Sequence, residues 1–377
     1  MLLSESQVMV RDAAREFART RLSPHTRAWE TDGAFPRDVL EEIGQLGFLG
    51  MTVPEHLGGG GLDYVSYALA LMEIAAGDGA LSTLMSVNNA PVCAILVAHG
   101  SPRQLEAYLR PLAAGQIIGA FALTEPQAGS DAANLRMSAK RADGGYVLNG
   151  TKQFITSGAI AAVAITFAVT DPSAGKRGLT AFVVPTDAPG FRVGRLESKL
   201  GQRASDTAQL VYEDVFVEDW LRIGDEGEGY RIALANLETG RIGIGAQSVG
   251  MATAALEHAL VYARERTAFG RRLTEHQAVS FRLSDMATDV EAARQLVLHA
   301  AALKDAGQPC LKEACMAKLF ASERAERVAS AAIQVLGGYG YVDDYLVEKI
   351  YRDVRVCQIY EGTSDIQRLL IGRALAG

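Results

Sequence analysis

The sequence predicts a mainly α-helical protein with a small β-domain at its centre. Three observations carry this. Apolar residues repeat at helical spacing in the first third, residues 118–226 break into short runs separated by Gly, Asp and Pro, and long apolar stripes return beyond 227. The expected segments are 1–117, 118–226 and 227–377. A chain of 377 residues exceeds one core, and its 49% hydrophobic content suffices to bury several.

In the first segment Val10, Ala14 and Phe17 share a helix face. Pro36 suits the first turn of the next helix, and Gly47 lies near its end. The run Gly58-Gly59-Gly60-Gly61 is a loop, after which Asp63 is an N-cap for a helix through Ile74. Residues 80–99 and 102–114 read as two more helices. In the second segment, 120–124, 146–149, 163–169, 180–184 and 209–212 read as strands. Asp143-Gly144-Gly145 is a hairpin signal, and the spacing suggests an antiparallel sheet. In the third, Ile242, Ala246, Val249, Leu256 and Leu260 form one stripe. Val279, Leu283, Met286, Val290, Ala293, Val297 and Ala300 form another, as expected for a bundle of antiparallel helices.

Composition narrows the function. A formal charge of −7, from 37 basic and 44 acidic side chains with no dense Lys/Arg tract, argues against nucleic acid as a partner. No apolar run reads as membrane-spanning, so no membrane partner is expected. Cys93, Cys310, Cys315 and Cys357 form no CxxC pair and read as reduced thiols. With no signal or transit pattern at the start, the expected location is the cytoplasm, although a processed form from an organellar matrix would look alike. The scattered histidines show no HExxH spacing, so no metal is expected. Gly145 to Gly150 imitates a phosphate loop but continues Thr151-Lys152, the wrong order. Neither a GxGxxG after a strand nor a GxSxG elbow is present.

Three segments stand out. Phe121-Ala-Leu-Thr-Glu-Pro-Gln-Ala-Gly-Ser-Asp131 leaves a strand into a loop of small polar residues, which suits either a polar ligand or a capped turn. Gln334-Val-Leu-Gly-Gly-Tyr-Gly-Tyr341 allows close backbone approach, or ends a helix. Ile359-Tyr-Glu-Gly-Thr-Ser-Asp-Ile-Gln-Arg368 places Glu361 and Gly362 before Thr363, an N-cap for the last helix, where a carboxylate also favours the helix dipole.

In order and spacing these segments resemble the acyl-CoA dehydrogenase family. The likeness spans nearly the whole chain. It includes Val53-Pro-Glu, Asn149-Gly-Thr-Lys152, Gly240-Arg-Ile-Gly243, Arg264-Glu-Arg266 and Phe269-Gly270. Met85-Ser-Val-Asn-Asn89 and Tyr360-Glu-Gly-Thr-Ser364 are most similar to the short-chain, butyryl-type branch. The resemblance implies an N-terminal helical domain, a β-barrel-like middle domain and a C-terminal four-helix bundle. It implies an FAD enzyme that oxidises the Cα–Cβ bond of a short acyl-CoA, with branched short chains as the competing substrate. Electron-transfer flavoprotein is the implied acceptor and a homotetramer the implied assembly. An oxidase of the same fold usually has a much longer chain, and a non-catalytic scaffold would not need Glu361 and Arg241.

By the same resemblance Glu361 is the base, and the flavin accepts hydride from Cβ. Other branches carry the catalytic Glu where this chain has Gly240, and Glu238 shares a helix face with Arg241 rather than with 240. Arg241, Gly362, Ser130 and Glu238 match positions near the substrate, although related enzymes often carry Asp at 238. Leu123, Thr124, Ser130, Phe154 and Thr156 match FAD contacts, with Phe154 standing where the family often has Trp. Arg266, Phe269 and Gln277 match residues that reach FAD across a subunit interface, although Arg266 also reads as a solvated helix charge. Gln334, Gly337, Gly338, Thr363 and Asp365 match the remaining dinucleotide contacts.

Overall fold

Residues 2–376 are described by a computed structural model. The first segment is helical: α1 (Glu5–Phe17), α2 (Thr26–Asp32), α3 (Arg37–Gln45), α4 (Tyr64–Gly77), α5 (Gly79–Val87), α6 (Ala94–His99), α7 (Pro102–Gln104) and α8 (Arg110–Ala113). Asp63 caps α4 as its position predicts, accepting from Ser66 N at 2.6 Å. Pro36 is the N-cap of α3 rather than part of its first turn.

The expected helix over 80–99 is interrupted, because Pro91 has no N–H and drives Ala90 to φ −141. Two buried side chains serve the break. Asn88 Nδ2 donates to the carbonyls of Leu49 and Leu112, and Asn89 Oδ1 accepts from Met51 N at 2.8 Å. One expectation is corrected here. Gly79–His99 is apolar and long enough, by composition, to cross a membrane, yet 83% of its most apolar window is buried inside the protein. The apolar surface is spent on the core.

The middle segment holds β1 (Gly119–Ala122), β2 (Ser138–Ala142), β3 (Gly145–Thr156), β4 (Val163–Val169), β5 (Leu179–Pro185), β6 (Phe191–Leu196), β7 (Thr207–Glu218) and β8 (Arg222–Ile223). They form one sheet in the order β6-β7-β3-β2-β4-β5-β8, with β1 beside β4. Most pairs are antiparallel, including the β2–β3 hairpin turned at Asp143-Gly144, but β1 and β2 each pair with β4 in parallel. Strands β2 and β6 were not expected. Ser138–Ala142 is mixed and polar, and Phe191–Leu196 is mostly exposed, so neither shows an apolar period.

The third segment comprises α9 (Gly229–Glu265), a small hairpin of β9 (Thr267–Ala268) and β10 (Arg271–Arg272), α10 (Gln277–Asp305), α11 (Leu311–Leu336), α12 (Val347–Val354) and α13 (Ser364–Ala376). The forecast stripes are buried at Ile242, Ala246 and Val249 on α9 and at Leu283, Met286, Val290, Ala293, Val297 and Ala300 on α10, and half-buried at Leu256, Leu260 and Val279. One core cluster joins residues of α1 and α4 to others on α9, α10 and α11.

A buried charge cluster also joins all three segments. Lys349 Nζ lies 2.6 Å from Asp353 and 3.5 Å from Asp78, each of the three side chains at most 4% exposed. Asp78 accepts from the Thr26 hydroxyl and from Leu81 N, while Asp353 accepts from the backbone of Gln202 in the middle segment.

Candidate active site

Glu361 sits between α12 and α13 in the left-handed region, at φ 52, followed by Gly362 at φ 93. A non-glycine residue rarely adopts this conformation, so the surroundings must hold it. Ahead of it, the Tyr360 hydroxyl donates to Gln247 Oε1 at 3.1 Å, and Gln247 Nε2 donates to Ser82 and Thr83. Behind it, Lys318 Nζ donates to Gly362 O at 2.5 Å and Gln367 Nε2 to the same oxygen at 2.9 Å. Thr363 Oγ1 accepts from Ile366 N and caps α13, as its position predicts.

The turn aims the Glu361 carboxylate at α9. A Cβ on Gly240 would stand 2.0 Å from Glu361 Oε2. Glycine at 240 and the carboxylate of Glu361 therefore compete for one space. Oε2 is buried and has no hydrogen-bond partner among the described residues. Burial pushes the Glu361 carboxyl up to about 7, against the pull of Lys318 and Arg241. A carboxylate poised there can exchange a proton with a bound molecule at neutral pH.

Arg241 follows Gly240 and is buried, with its Nε unpartnered. Ser364 Oγ and Gln367 Oε1 are likewise buried without partners. Four such atoms around one turn are costly unless a ligand or water satisfies them. Glu238 lies one turn before Arg241, 3.8 Å from Lys304 and 3.5 Å from the Cys310 thiol.

The loop after β1 is anchored to β3. Lys152, fully buried, donates to Leu123 O at 3.0 Å and to Glu125 at 2.9 Å, and Glu125 also accepts from Arg136 N and Met137 N. Gln153 N donates to Thr124 O at 2.8 Å. These bonds bring Leu123 and Thr124 beside the β3 bulge between Lys152 and Ile155. The bulge turns Phe154 outward at φ 58, 63% exposed, with Thr156 half-buried beyond it. Ser130 lies exposed on the loop. An outward aromatic ring beside loop hydroxyls and backbone fits a planar cofactor such as a flavin.

Arg266, Phe269 and Gln277 cluster elsewhere, after α9 and at the start of α10, with Phe269 98% exposed. The Arg266 guanidinium lies 5.8 Å from the Tyr339 ring, beside the exposed Gln334, Gly337 and Gly338 at the end of α11. Arg266 is about 39 Å along α9 from Gly240 at a rise of about 1.5 Å per residue, so the cluster stands well apart from the Glu361 turn within one chain. Asp365 is exposed and 3.6 Å from Arg368.

Sequence reading missed Lys318, Tyr67 and Ser86. A Cβ on Gly243, one turn beyond Gly240, would meet Ser86 Oγ at 2.8 Å and the Tyr67 hydroxyl at 3.1 Å. The available signal for Lys318 was a lysine within the small-residue stripe of Ala314, Ala317, Ala321 and Ala325.

Three models of acyl-CoA dehydrogenase domains match the chain: the N-terminal domain at residues 4–116, the middle domain at 120–215 and the C-terminal domain at 227–376. The chain is 47% identical to an acyl-CoA dehydrogenase of Bacillus subtilis over the full length of both. It is 44% identical to the human mitochondrial short-chain specific acyl-CoA dehydrogenase, covering 98% of this chain and 90% of that protein. With subunit CarC of the caffeyl-CoA reductase-Etf complex of Acetobacterium woodii it shares 41%, covering 100% and 99%. The butyryl-CoA dehydrogenase structure from Megasphaera elsdenii superposes with a TM-score of 0.97 at 39% identity over all of both chains. With its helical, β and helical segments each matched in order, the chain belongs to the acyl-CoA dehydrogenase family, oxidoreductases that depend on FAD.

Proposed function

We propose that the protein oxidises a short-chain acyl-CoA to its trans-2-enoyl-CoA, with Glu361 as the base. The observation that carries this is the unpartnered Glu361 carboxylate, buried opposite Gly240 and held near neutrality. Glu361 takes the α-proton, and its own backbone N–H supports the thioester oxygen as that atom gains enolate-like charge. FAD, when bound, supplies the acceptor for the hydride that leaves Cβ. Arg241 and Ser130 orient the CoA thioester, and Leu123, Thr124, Phe154 and Thr156 seat the flavin.

The short chain is supported by what closes α9. One turn from Gly240, about 4.5 Å along the axis, Tyr67 and Ser86 crowd the same face. Electron-transfer flavoprotein is the proposed acceptor, in keeping with the Etf-associated relative. The distance from Glu361 to the Arg266 cluster supports an FAD site shared between two subunits, and the assembly proposed with it is a homotetramer built from such dimers.

The test is Glu361→Gln, which keeps shape and removes basicity. FAD content should be unchanged while turnover and anaerobic flavin bleaching by butyryl-CoA fall by roughly 10²–10⁴. A fall below about tenfold removes Glu361 as the base, given what positioned bases usually supply. Wild-type protein run with butyryl-, isobutyryl-, octanoyl- and palmitoyl-CoA then assigns chain length. A tenfold lead for either long chain would sink the short-chain reading and leave the dehydrogenase reading standing.

A further inference from the structure

Lys318 is an unusual residue for its place. It sits two turns into α11 with no exposed surface, among Ala314, Cys315, Ala317 and Ala321. A buried ammonium is unfavourable unless specific partners compensate it, and methionine would fill a similar volume without that cost. Among the described residues, the one hydrogen bond that its ammonium makes is to Gly362 O, at 2.5 Å. That oxygen belongs to the residue that completes the left-handed turn of Glu361.

We infer that Lys318 is a positioning residue of the active site, which fixes the Glu361–Gly362 turn through the Gly362 carbonyl and holds a positive charge behind the Glu361 carboxylate. The inference rests on the reading of Glu361 as the base.

The groups facing this carboxylate come from three helices. Lys318 on α11 and Arg241 on α9 stabilise its charged form, while the Tyr67 hydroxyl on α4 lies close enough to feel its charge. Lys318 in turn faces the Cys315 and Cys357 thiols, and Cys315 faces Arg241 and Glu238. Burial pushes the ammonium itself down to about 8 while Glu361 works to keep it charged. Without Lys318, Arg241 alone among the cations remains to oppose burial of the carboxylate.

The experiment is Lys318→Met in the FAD-loaded enzyme, read as kcat against pH from 5.5 to 9.5. The acid limb should move up by about one unit, which makes turnover at pH 7 about fivefold lower and lets it recover toward pH 9. Lys318→Gln keeps a donor for Gly362 without charge, so it should show the same shift with a smaller loss at high pH. Lys318→Arg should restore the wild-type limb. A second readout needs no turnover. The pH dependence of the melting temperature, wild type minus Glu361→Gln, should grow when both are carried on Lys318→Met.

Acid limbs that coincide in wild type and every folded variant would overturn the inference. So would loss of FAD-loaded protein in Met and Gln with full retention in Arg and no change in limb, because the lysine would then serve folding alone. If Glu361→Gln is itself active, the base assignment has failed. If Glu361→Gln is inactive while Lys318→Met keeps the wild-type limb, the base stands and the role of Lys318 does not.

Discussion

Gly240→Ala is the sharpest perturbation this site offers, because it pushes activity and stability in opposite directions. The added methyl would stand 2.0 Å from Glu361 Oε2 and 2.9 Å from its Cδ, where ordinary contact begins at 3.4 Å. The oxygen must therefore retreat by about 1.4 Å. A misplacement of about 1 Å costs a positioned group roughly 10²-fold, so kcat should drop at least that far. Stability should not follow. Gly240 lies inside α9 with ordinary helical backbone, and replacing glycine by alanine in a helix interior gains up to about 1 kcal/mol. The atom displaced is the end of a flexible side chain, which limits the steric penalty. The assay is steady-state turnover of butyryl-CoA with an artificial acceptor, with FAD absorbance and melting temperature measured on the same preparation. A variant within threefold of wild-type kcat would show that the carboxylate does not work from the position described.

Three further outcomes are expected. The Glu361 carboxyl rises from the usual 4.5 to about 7 on burial, so the folded state holds this proton more tightly than the unfolded chain. Its contribution to stability is complete below about 4.5 and drains away as pH rises through about 7, so Glu361→Gln should gain melting temperature over wild type at pH 8 and not at pH 4.5; an equal difference at both pH values would contradict this. Light scattering of the FAD-loaded protein should give a tetramer, and Arg266→Ala should release FAD without affecting the Glu361 turn. A stable wild-type monomer with FAD fully bound would refute the shared site.

The architecture was legible where burial imposes a period. The stripes on α9 and α10 and the strand at 163–169 follow from residues facing a core, while the cap at the exposed Asp63 follows from its side chain meeting the free N–H groups of α4. Strands with one or both faces in water left little or no signal, which hid β2 and β6 and shortened the forecast of Thr207–Glu218 to four residues. Within the site, motif order pointed to Glu361, Arg241 and the loop after β1. It could not show that Phe154 and Glu361 both occupy left-handed backbone, since bulge and turn are decided by distant partners. Lys318 stayed hidden for the same reason. Its partner Gly362 is far along the chain, and nothing adjacent in sequence announces the pairing.

The cluster of Thr26, Asp78, Gln202, Lys349 and Asp353 has a consequence for how such a protein can be recombined. The chain divides into three modules by sequence, but each module contributes to one desolvated knot of charge. Removing one partner from a buried pair costs about 3–5 kcal/mol, a large part of the stability of a typical domain. A chimera that separates Asp78 from Lys349 and Asp353 inherits that penalty unless the donor supplies the same partner at the same place, whereas the middle module meets Asp353 through the backbone N–H of Gln202, which most residues would supply. The first and third modules, which look exchangeable on paper, are thus thermodynamically coupled, and the compatible crossovers are those that carry Asp78, Lys349 and Asp353 from one parent.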